Sequence, residues 1–466
     1  MNKVHILMDP GIIPLDSLKE VIDDFSFHHK LSFIIEQHKK ELYKDLSDLY
    51  KVVCYEDFTI TSTERLPLES LSDYDNAIQT VLNDYRTFLI AERVRGLLNS
   101  ESSFNSIEKI ENTIYNFILF HNEFNFDELI FQATPHNLTN WVIAKTAESI
   151  GISVKMIQTS PIPWRFWLVE GLDVQRIIYP NTKQVVGNDQ SNLIKQYIKM
   201  NQSGYSDALP DYEKDRLKAR KGDYWQWKKE LIDVSKSPRK LLNLKSKRKN
   251  YKLYSKLAEY PNNKDNYIVF FLHFQPERTS LPEAGIYSNQ WLIIKAIQTC
   301  LPEGWQLYVK EHPSMFINKF DKRYRHADFY KNVSKLEKIK LIPLDTDTFN
   351  LIDNCKAIAT ITGTVGVQSL IRNKPVLSFG VASFRDHKMV YEINNTKQLK
   401  DALTALIKSN YLEFYTIETY LNNVAEKSVS RDVGDTDNFS FYTRKNRIEG
   451  HTKLMSNYFN HYSSQS

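Results

Sequence analysis

The chain has 466 residues, 42% of them apolar and 25% charged, which is enough for two ordinary domains and excludes a disordered or collagen-like polymer. Three widely spaced cysteines, Cys54, Cys300 and Cys355, provide neither a disulfide framework nor a zinc spacing and favour a reducing compartment. The formal charge of +5 hides a local concentration, because residues 214–256 hold 16 Lys or Arg against 4 Asp or Glu.

The N-terminal apolar stretch is too short for a signal-peptide core and reads as a strand, Val4–Met8, turned at Asp9-Pro10-Gly11. Val52–Tyr55 is a second strand candidate. Residues 76–98 and 104–122 carry apolar positions at helical spacing, among them Ile110, Ile114, Phe117 and Ile118. Glu128–Phe131 reads as a strand, Leu138–Ile150 as a helix stopped by Gly151, and Val154–Ile157 as the next strand, a βαβ unit. Residues 188–259 are polar, basic and helical in pattern. The rest alternates regularly. Strands are expected at Tyr267–Leu272, Gln306–Val309, Ile339–Ile342, Ala357–Ile361, Val376–Phe379 and Val390–Ile393, with helices at 288–300, 346–354, 364–372 and 396–408. From Tyr411 the tail is helical and then polar. The division expected is 1–187 as a first α/β domain, 188–262 as a basic helical inter-domain segment, 263–410 as a second α/β domain, and 411–466 as a tail crossing back to the first.

No run of about 18 apolar residues occurs, so no bilayer-spanning segment is expected. A cytoplasmic protein follows, with residues 214–256 suited to an anionic surface at the membrane's inner face or to an acidic polymer. The ordinary alternative is a solvated helical face. Nucleic acid is not expected, since no binding module accompanies the charge.

Three polar clusters sit at or just past the carboxyl ends of expected parallel strands, where ligands bind in open α/β sheets. Thr362-Gly363-Thr364-Val365-Gly366 joins a strand to a helix, and its backbone N–H groups and hydroxyls suit a phosphate. Alone it is equally an ordinary turn with a Thr cap. Lys310-Glu311-His312-Pro313 aims an imidazole off the sheet, where it can donate to a phosphate or protonate a leaving group, with Lys310 as a nearby cation. An isolated His-Pro is more commonly a surface turn. In His273-Phe274-Gln275-Pro276-Glu277, Gln275 and Glu277 suit sugar hydroxyls, and Glu277 suits acid–base work; a loop carboxylate satisfied by Arg278 is the plain alternative. Three such clusters on one sheet favour a site. No zinc spacing, Walker A sequence or Gly-x-Ser-x-Gly elbow occurs, and Asp345-Thr346-Asp347 reads as a helix N-cap rather than a metal pair.

With Leu272–Glu277, Lys310–Pro313, Thr362–Gly366 and Asn373–Gly380 in this order and spacing, residues 268–381 resemble the capsule polysaccharide biosynthesis proteins that include bacterial β-Kdo transferases. The resemblance implies a GT-B glycosyltransferase, two Rossmann-like domains facing a cleft with the nucleotide on the second. It implies a CMP-activated donor, Kdo-like or another nonulosonic acid of the pseudaminic or sialic type, and a capsule or surface glycan, free or lipid-linked, as acceptor. Donor-side residues would be His273, Gln275, Lys310, His312, Pro313, Thr362, Gly363, Thr364, Gly366 and Gln368, the last standing where the family usually has a ribose-binding Glu. Catalytic candidates are Glu277 and, on the acceptor side, Asp9 and His136. No cofactor and no metal are expected, since CMP leaves as a monophosphate. Two other functions stay open: a CDP-glycerol-type phosphotransferase, and a non-catalytic glycan-binding or export-assembly protein that retains the fold.

Overall fold

The computed structural model describes residues 4–19, 22, 29–47, 50–94, 103–180, 183–204, 238–262, 264–275, 279–316, 325–408, 416–430, 441 and 443–465. The chain divides into two compact units, Met1–Asp189 with Asn423–Ser466, and Gln190–Asn422. Each is built on its own largely parallel sheet, the α/β class with two Rossmann-like units that the sequence leads one to expect.

The first unit opens with β1 (His5–Met8), β2 (Lys30–Ile35) and β3 (Lys51–Cys54), followed by helices α1 (Leu71–Asn83), α2 (Tyr85–Val94) and α3 (Ser103–Phe124). Then come β4 (Glu128–Phe131), α4 (Leu138–Ser149), β5 (Ser153–Thr159), β6 (Arg165–Glu170) and β7 (Arg176–Tyr179). Strands β5-β4-β1-β2-β3 run parallel, with β6 and β7 added antiparallel. All residues of β1 and β4 are buried, the mark of parallel strands covered on both faces. The single helix expected over 76–98 is instead two, because Asp84 takes an extended conformation and its carboxylate accepts from Arg86 N at 3.0 Å, capping α2. Strand β2 escaped notice because its alternation is broken by Ser32, a buried hydroxyl paired with His5 Nε2 at 2.8 Å. No strand was expected at β6 or β7.

The second unit follows as α5 (Asn188–Gln202), α6 (Pro238–Leu257), β8 (Asn266–Phe271), α7 (Gln290–Cys300), β9 (Trp305–Lys310), α8 (Ala327–Ser334), β10 (Ile339–Ile342), α9 (Thr348–Asn354), β11 (Ala357–Thr360), α10 (Val365–Ile371), β12 (Val376–Ser378), β13 (Val390–Glu392), α11 (Thr396–Lys408) and α12 (Ile417–Glu426). Its sheet is parallel throughout, in the order β10-β9-β8-β11-β12-β13. The chain moves outward from β8 to β9 and β10, then returns to place β11 on the other side of β8. The strand order thus reverses between β8 and β11, and a crevice opens there at the carboxyl ends. Asp347 caps α9 by accepting from Asn350 N at 2.7 Å, as expected of that acidic pair.

The end of the chain returns to the first sheet. Strand β14 (Val429–Ser430) pairs antiparallel with β6, and α13 (Arg444–Gln465) packs against β6 and β14. The polar composition of α13 conceals a 22-residue helix whose Leu454, Met455, Tyr458 and Phe459 are buried. Two buried polar clusters fix this return. The Arg165 guanidinium donates to Ser428 Oγ (2.9 Å), Ser430 Oγ (3.1 Å) and Ala425 O (2.6 Å), and burial pulls it down to about 10. Lys155 Nζ pairs with Glu128 and donates to Tyr458 Oη at 2.9 Å, while that hydroxyl donates to Glu128 Oε2 at 3.0 Å. Lys155→Met leaves the Glu128 carboxylate buried without its cation and should cost about 3–5 kcal/mol, with much of the loss recovered in Glu128→Gln/Lys155→Met. Urea unfolding of the two variants checks this.

Candidate functional site

The last residues of β8 and β11 meet at the reversal point of the second sheet. His273, just past β8, is fixed through its backbone by Gln290, whose Oε1 accepts from His273 N at 2.8 Å and whose Nε2 donates to His273 O at 3.1 Å. Its ring crosses to β11, where Nε2 accepts from Ile361 N at 3.2 Å and lies 3.0 Å from Thr360 Oγ1. That hydroxyl accepts from Gly363 N at 3.3 Å, so the Gly-rich turn is tied to β8 through one imidazole. Burial, reinforced by His312 and Arg325, pulls His273 down to about 3, so the ring is neutral with its proton on Nδ1. A Cβ on Gly363 would lie 2.9 Å from Thr360 Oγ1 and 3.2 Å from His273 Nε2, so only glycine lets the turn approach this closely.

The end of β9 is organised by a buried carboxylate. Glu311 is 1% exposed; its Oε1 accepts from His312 N at 2.7 Å, and its Oε2 accepts from Tyr330 Oη at 2.8 Å and lies 2.8 Å from Arg325 Nε. Burial pushes the Glu311 carboxyl up, against the pull of Arg325, Tyr330 and the His312 N–H. Arg325 also donates to His273 O at 3.2 Å, so the ends of β8 and β9 share one guanidinium. Pro313 opens a short 3-10 turn, Pro313–Phe316, that folds back on His312: Met315 N donates to His312 O at 3.0 Å and Ser314 N to His312 Nδ1 at 3.2 Å. Because Nδ1 accepts, a neutral His312 carries its proton on Nε2. The half-buried ring is a donor.

The remaining expected residues fall as follows. Lys310 is buried and its ammonium donates to Thr346 O (2.5 Å) and Thr348 Oγ1 (2.9 Å), tying the loop after β10 to β9. Gln275 donates to Ser280 Oγ at 2.7 Å and Thr362 Oγ1 to Thr279 O at 2.9 Å, two bonds to one loop. Thr364 precedes α10 without capping it through its side chain. Gly366 packs under Phe384, whose Cζ would lie 2.2 Å from an added Cβ, and Gln368 is buried on α10. Glu277 lies outside the described residues. Arg325, Tyr330 and Gln290 carry no sequence signal; Thr360 opens the Gly-rich segment in the sequence but was not assigned a role there.

On the first unit, Asp9 follows β1 at the reversal point between β1 and β4. Its carboxylate accepts from Tyr55 Oη and Gly11 N, each at 2.9 Å, and burial pushes it above the usual carboxylate range. Beside this loop Gln132, just past β4, is bonded through Oε1 to His451 Nδ1 at 2.8 Å, so α13 delivers a buried histidine that no sequence signal marked. His136 is half-buried, and its Nδ1 donates to Thr134 O at 3.0 Å. A carbonyl can only accept, so neutral His136 presents a lone pair at Nε2, the opposite tautomer to His312.

The basic segment divides. Residues 205–237 lie outside the described residues, and α6 packs on the second unit against α8 and the Pro313–Phe316 turn. Lys247, expected on a charged outer face, is 3% exposed and donates to Met315 O at 2.7 Å. It belongs to the wall of the site.

An unfolded imidazole titrates near 6.5 and folded His273 near 3. The His273 contribution to stability is therefore complete above pH 6.5 and is lost as pH falls toward 3, by up to about 1.4 kcal/mol per pH unit. Urea titrations between pH 7 and 4 should give a shallower acid-side slope for His273→Asn than for wild type.

The sequence profile of the family described as "Capsule polysaccharide biosynthesis protein" matches residues 146–403, more than half of the chain, including all of the second sheet. No curated protein matches. Among solved structures the chain is similar to the UDP-GlcNAc 2-epimerase of Methanocaldococcus jannaschii in complex with UDP-GlcNAc and UDP, at 11% identity over 91% of this chain and 99% of that one, with a TM-score of 0.27. It is similar to the KpsC beta Kdo 2,7 transferase of Thermosulfurimonas dismutans at 12% identity over 84% of this chain and 97% of that one, with a TM-score of 0.30. The profile spans every residue of the second unit's site, from His273 to Gln368, and the chain belongs to the capsule polysaccharide biosynthesis protein family.

Proposed function

We propose that the protein is a glycosyltransferase that moves a Kdo-like or other nonulosonic acid from a CMP-sugar to a growing capsule or surface glycan. The observation that carries this reading is His312: a histidine locked as an Nε2–H donor past β9 at the carboxyl edge of the second sheet, with the Gly-rich turn of Gly363 past β11 on the other side of β8. In the reaction the bond between the anomeric carbon of the donor and the phosphate oxygen breaks, and CMP leaves with the electron pair. His312 Nε2–H and backbone N–H groups of the Thr362–Thr364 turn meet the charge that develops on the departing phosphate. A monophosphate leaving group takes on less charge than a diphosphate, so hydrogen-bond donors of this kind suffice without a metal.

The new bond forms between an acceptor hydroxyl oxygen and the anomeric carbon, and the hydroxyl proton goes to a base. His136 fits that role, because its Nδ1 is occupied by Thr134 O and its Nε2 is the basic atom. Asp9, already accepting two hydrogen bonds, orients the acceptor loop and its neighbours. Glu277 keeps the role its carboxylate chemistry suggests, holding sugar hydroxyls, acting in acid–base chemistry or stabilising positive charge on the donor sugar ring. His273, whose Nε2 is committed to Ile361 N and Thr360, sets the spacing of the two strand ends rather than meeting the ligand.

Transfer assays with a panel of CMP-activated nonulosonic acids test the reading. His312→Ala should weaken CMP binding roughly 10- to 100-fold, the worth of a hydrogen bond to a charged group. His136→Asn should keep CMP affinity and lower turnover by roughly 10²- to 10⁴-fold. Turnover of CDP-glycerol with no transfer from any CMP-sugar would replace the assignment with a phosphotransferase.

A further inference from the structure

Helix α6 has two faces with different partners. On one, Lys247, Asn250 and Tyr254 follow each other at three- and four-residue spacing and are all buried. Each bonds to the framework of the His312 site: Lys247 Nζ donates to Met315 O (2.7 Å), Asn250 Nδ2 to Arg325 O (3.1 Å), and Tyr254 Oη accepts from Glu311 N (3.1 Å) while donating to Ile342 O. Tyr251 and Tyr254 add ring contacts to Phe316, at 5.5 and 5.6 Å between centroids. On the other face Lys249, Lys252 and Lys256 repeat the same spacing, two residues out of phase and so roughly 200° around the helix. All three are exposed, and none makes an ion pair with a described residue.

The 20 residues of α6 include eight Lys or Arg and no acid. Like charges three and four residues apart work against a helix, so this one depends on its buried anchors and on whatever anion approaches its outer face. A surface dense in negative charge relieves that repulsion and stabilises the helix. Through the three anchors, it also stabilises the turn that holds His312.

We propose that α6 docks on an anionic lipid surface through Lys249, Lys252 and Lys256, and that docking orders the His312 turn, so that the donor site is strongest where the protein meets the membrane. The occupant is argued from charge: a regular stripe of compact, exposed ammonium groups beside a half-exposed Tyr251 suits phospholipid headgroups at a bilayer interface. The functional consequence rests on the donor-site reading of His312, whereas the physical link does not.

The test therefore uses the full chain without nucleotide. Vesicles of phosphatidylglycerol and of phosphatidylcholine are compared by co-sedimentation at low and high salt, with hydrogen exchange followed in the peptide spanning His312–Phe316. The expected result is binding to phosphatidylglycerol that high salt reverses, with exchange at 312–316 slowed several-fold. Lys249→Glu/Lys252→Glu/Lys256→Glu should lose binding at least tenfold while keeping the vesicle-free exchange pattern. Tyr254→Phe should still bind vesicles but lose most of the slowing. The proposal is overturned if the triple variant binds as well as wild type, if bound vesicles leave exchange at 312–316 unchanged, or if polyglutamate binds the stripe and phosphatidylglycerol does not. A positive result combined with no CMP binding would keep the coupling and reject the nucleotide assignment.

Discussion

The site depends on one buried carboxylate. Glu311 sits past the end of β9 with almost no exposed surface; it accepts from the His312 backbone and from Tyr330, and it forms an ion pair with Arg325. Arg325 in turn donates to the carbonyl of His273, so a single ion pair fixes two of the strand ends around the reversal point. Taking these charges out of water is costly, and the cost is offset only while every partner is in place. The His312 turn therefore starts from a backbone position set by the Glu311 carboxylate.

From that constraint the chemistry follows by hydrogen-bond accounting. Backbone groups decide the state of three imidazoles. Ser314 N makes His312 Nδ1 an acceptor and leaves a donor at Nε2. Thr134 O makes His136 Nδ1 a donor and leaves the unprotonated nitrogen at Nε2. Ile361 N occupies His273 Nε2, so that ring joins strands instead of binding ligand. Three histidines of the same intrinsic chemistry are thereby given three states: a ring with its proton on Nε2, a ring with its proton on Nδ1, and a ring committed between two strand ends. The assignment of roles rests on main-chain geometry that no composition or charge count contains.

What the sequence made legible follows the same division. Mostly apolar runs separated by helical spacing located all six strands of the second sheet, and the central ones, buried on both faces, left little ambiguity. The strand ends carried polar motifs, and these placed His312 and the Gly363 turn correctly at the carboxyl edge. The antiparallel additions β7 and β14 were not legible, since strands of four and two residues share their composition with loops, and β6, although apolar, was not expected either. Nor was α13, whose apolar residues occupy one narrow stripe in a polar helix. The support shell was hidden for a different reason. Arg325 and Tyr254 reach Glu311 from 14 and 57 residues away, and only the fold brings them there. Charge density misled at Lys247, because a buried lysine bonded to a carbonyl looks like any other lysine in a basic run.

The central claim is that His312 is held as an Nε2–H donor for the phosphate of a cytidylyl donor. Histidine-ring ¹⁵N NMR on the full chain, with the His312 signal assigned by its loss in His312→Ala, tests this directly. The account predicts that neutral His312 shows a protonated Nε2 and an unprotonated Nδ1, and that the Nε2 resonance moves on addition of CMP but not of UDP. A His312 protonated on Nδ1, or one indifferent to CMP, would contradict it.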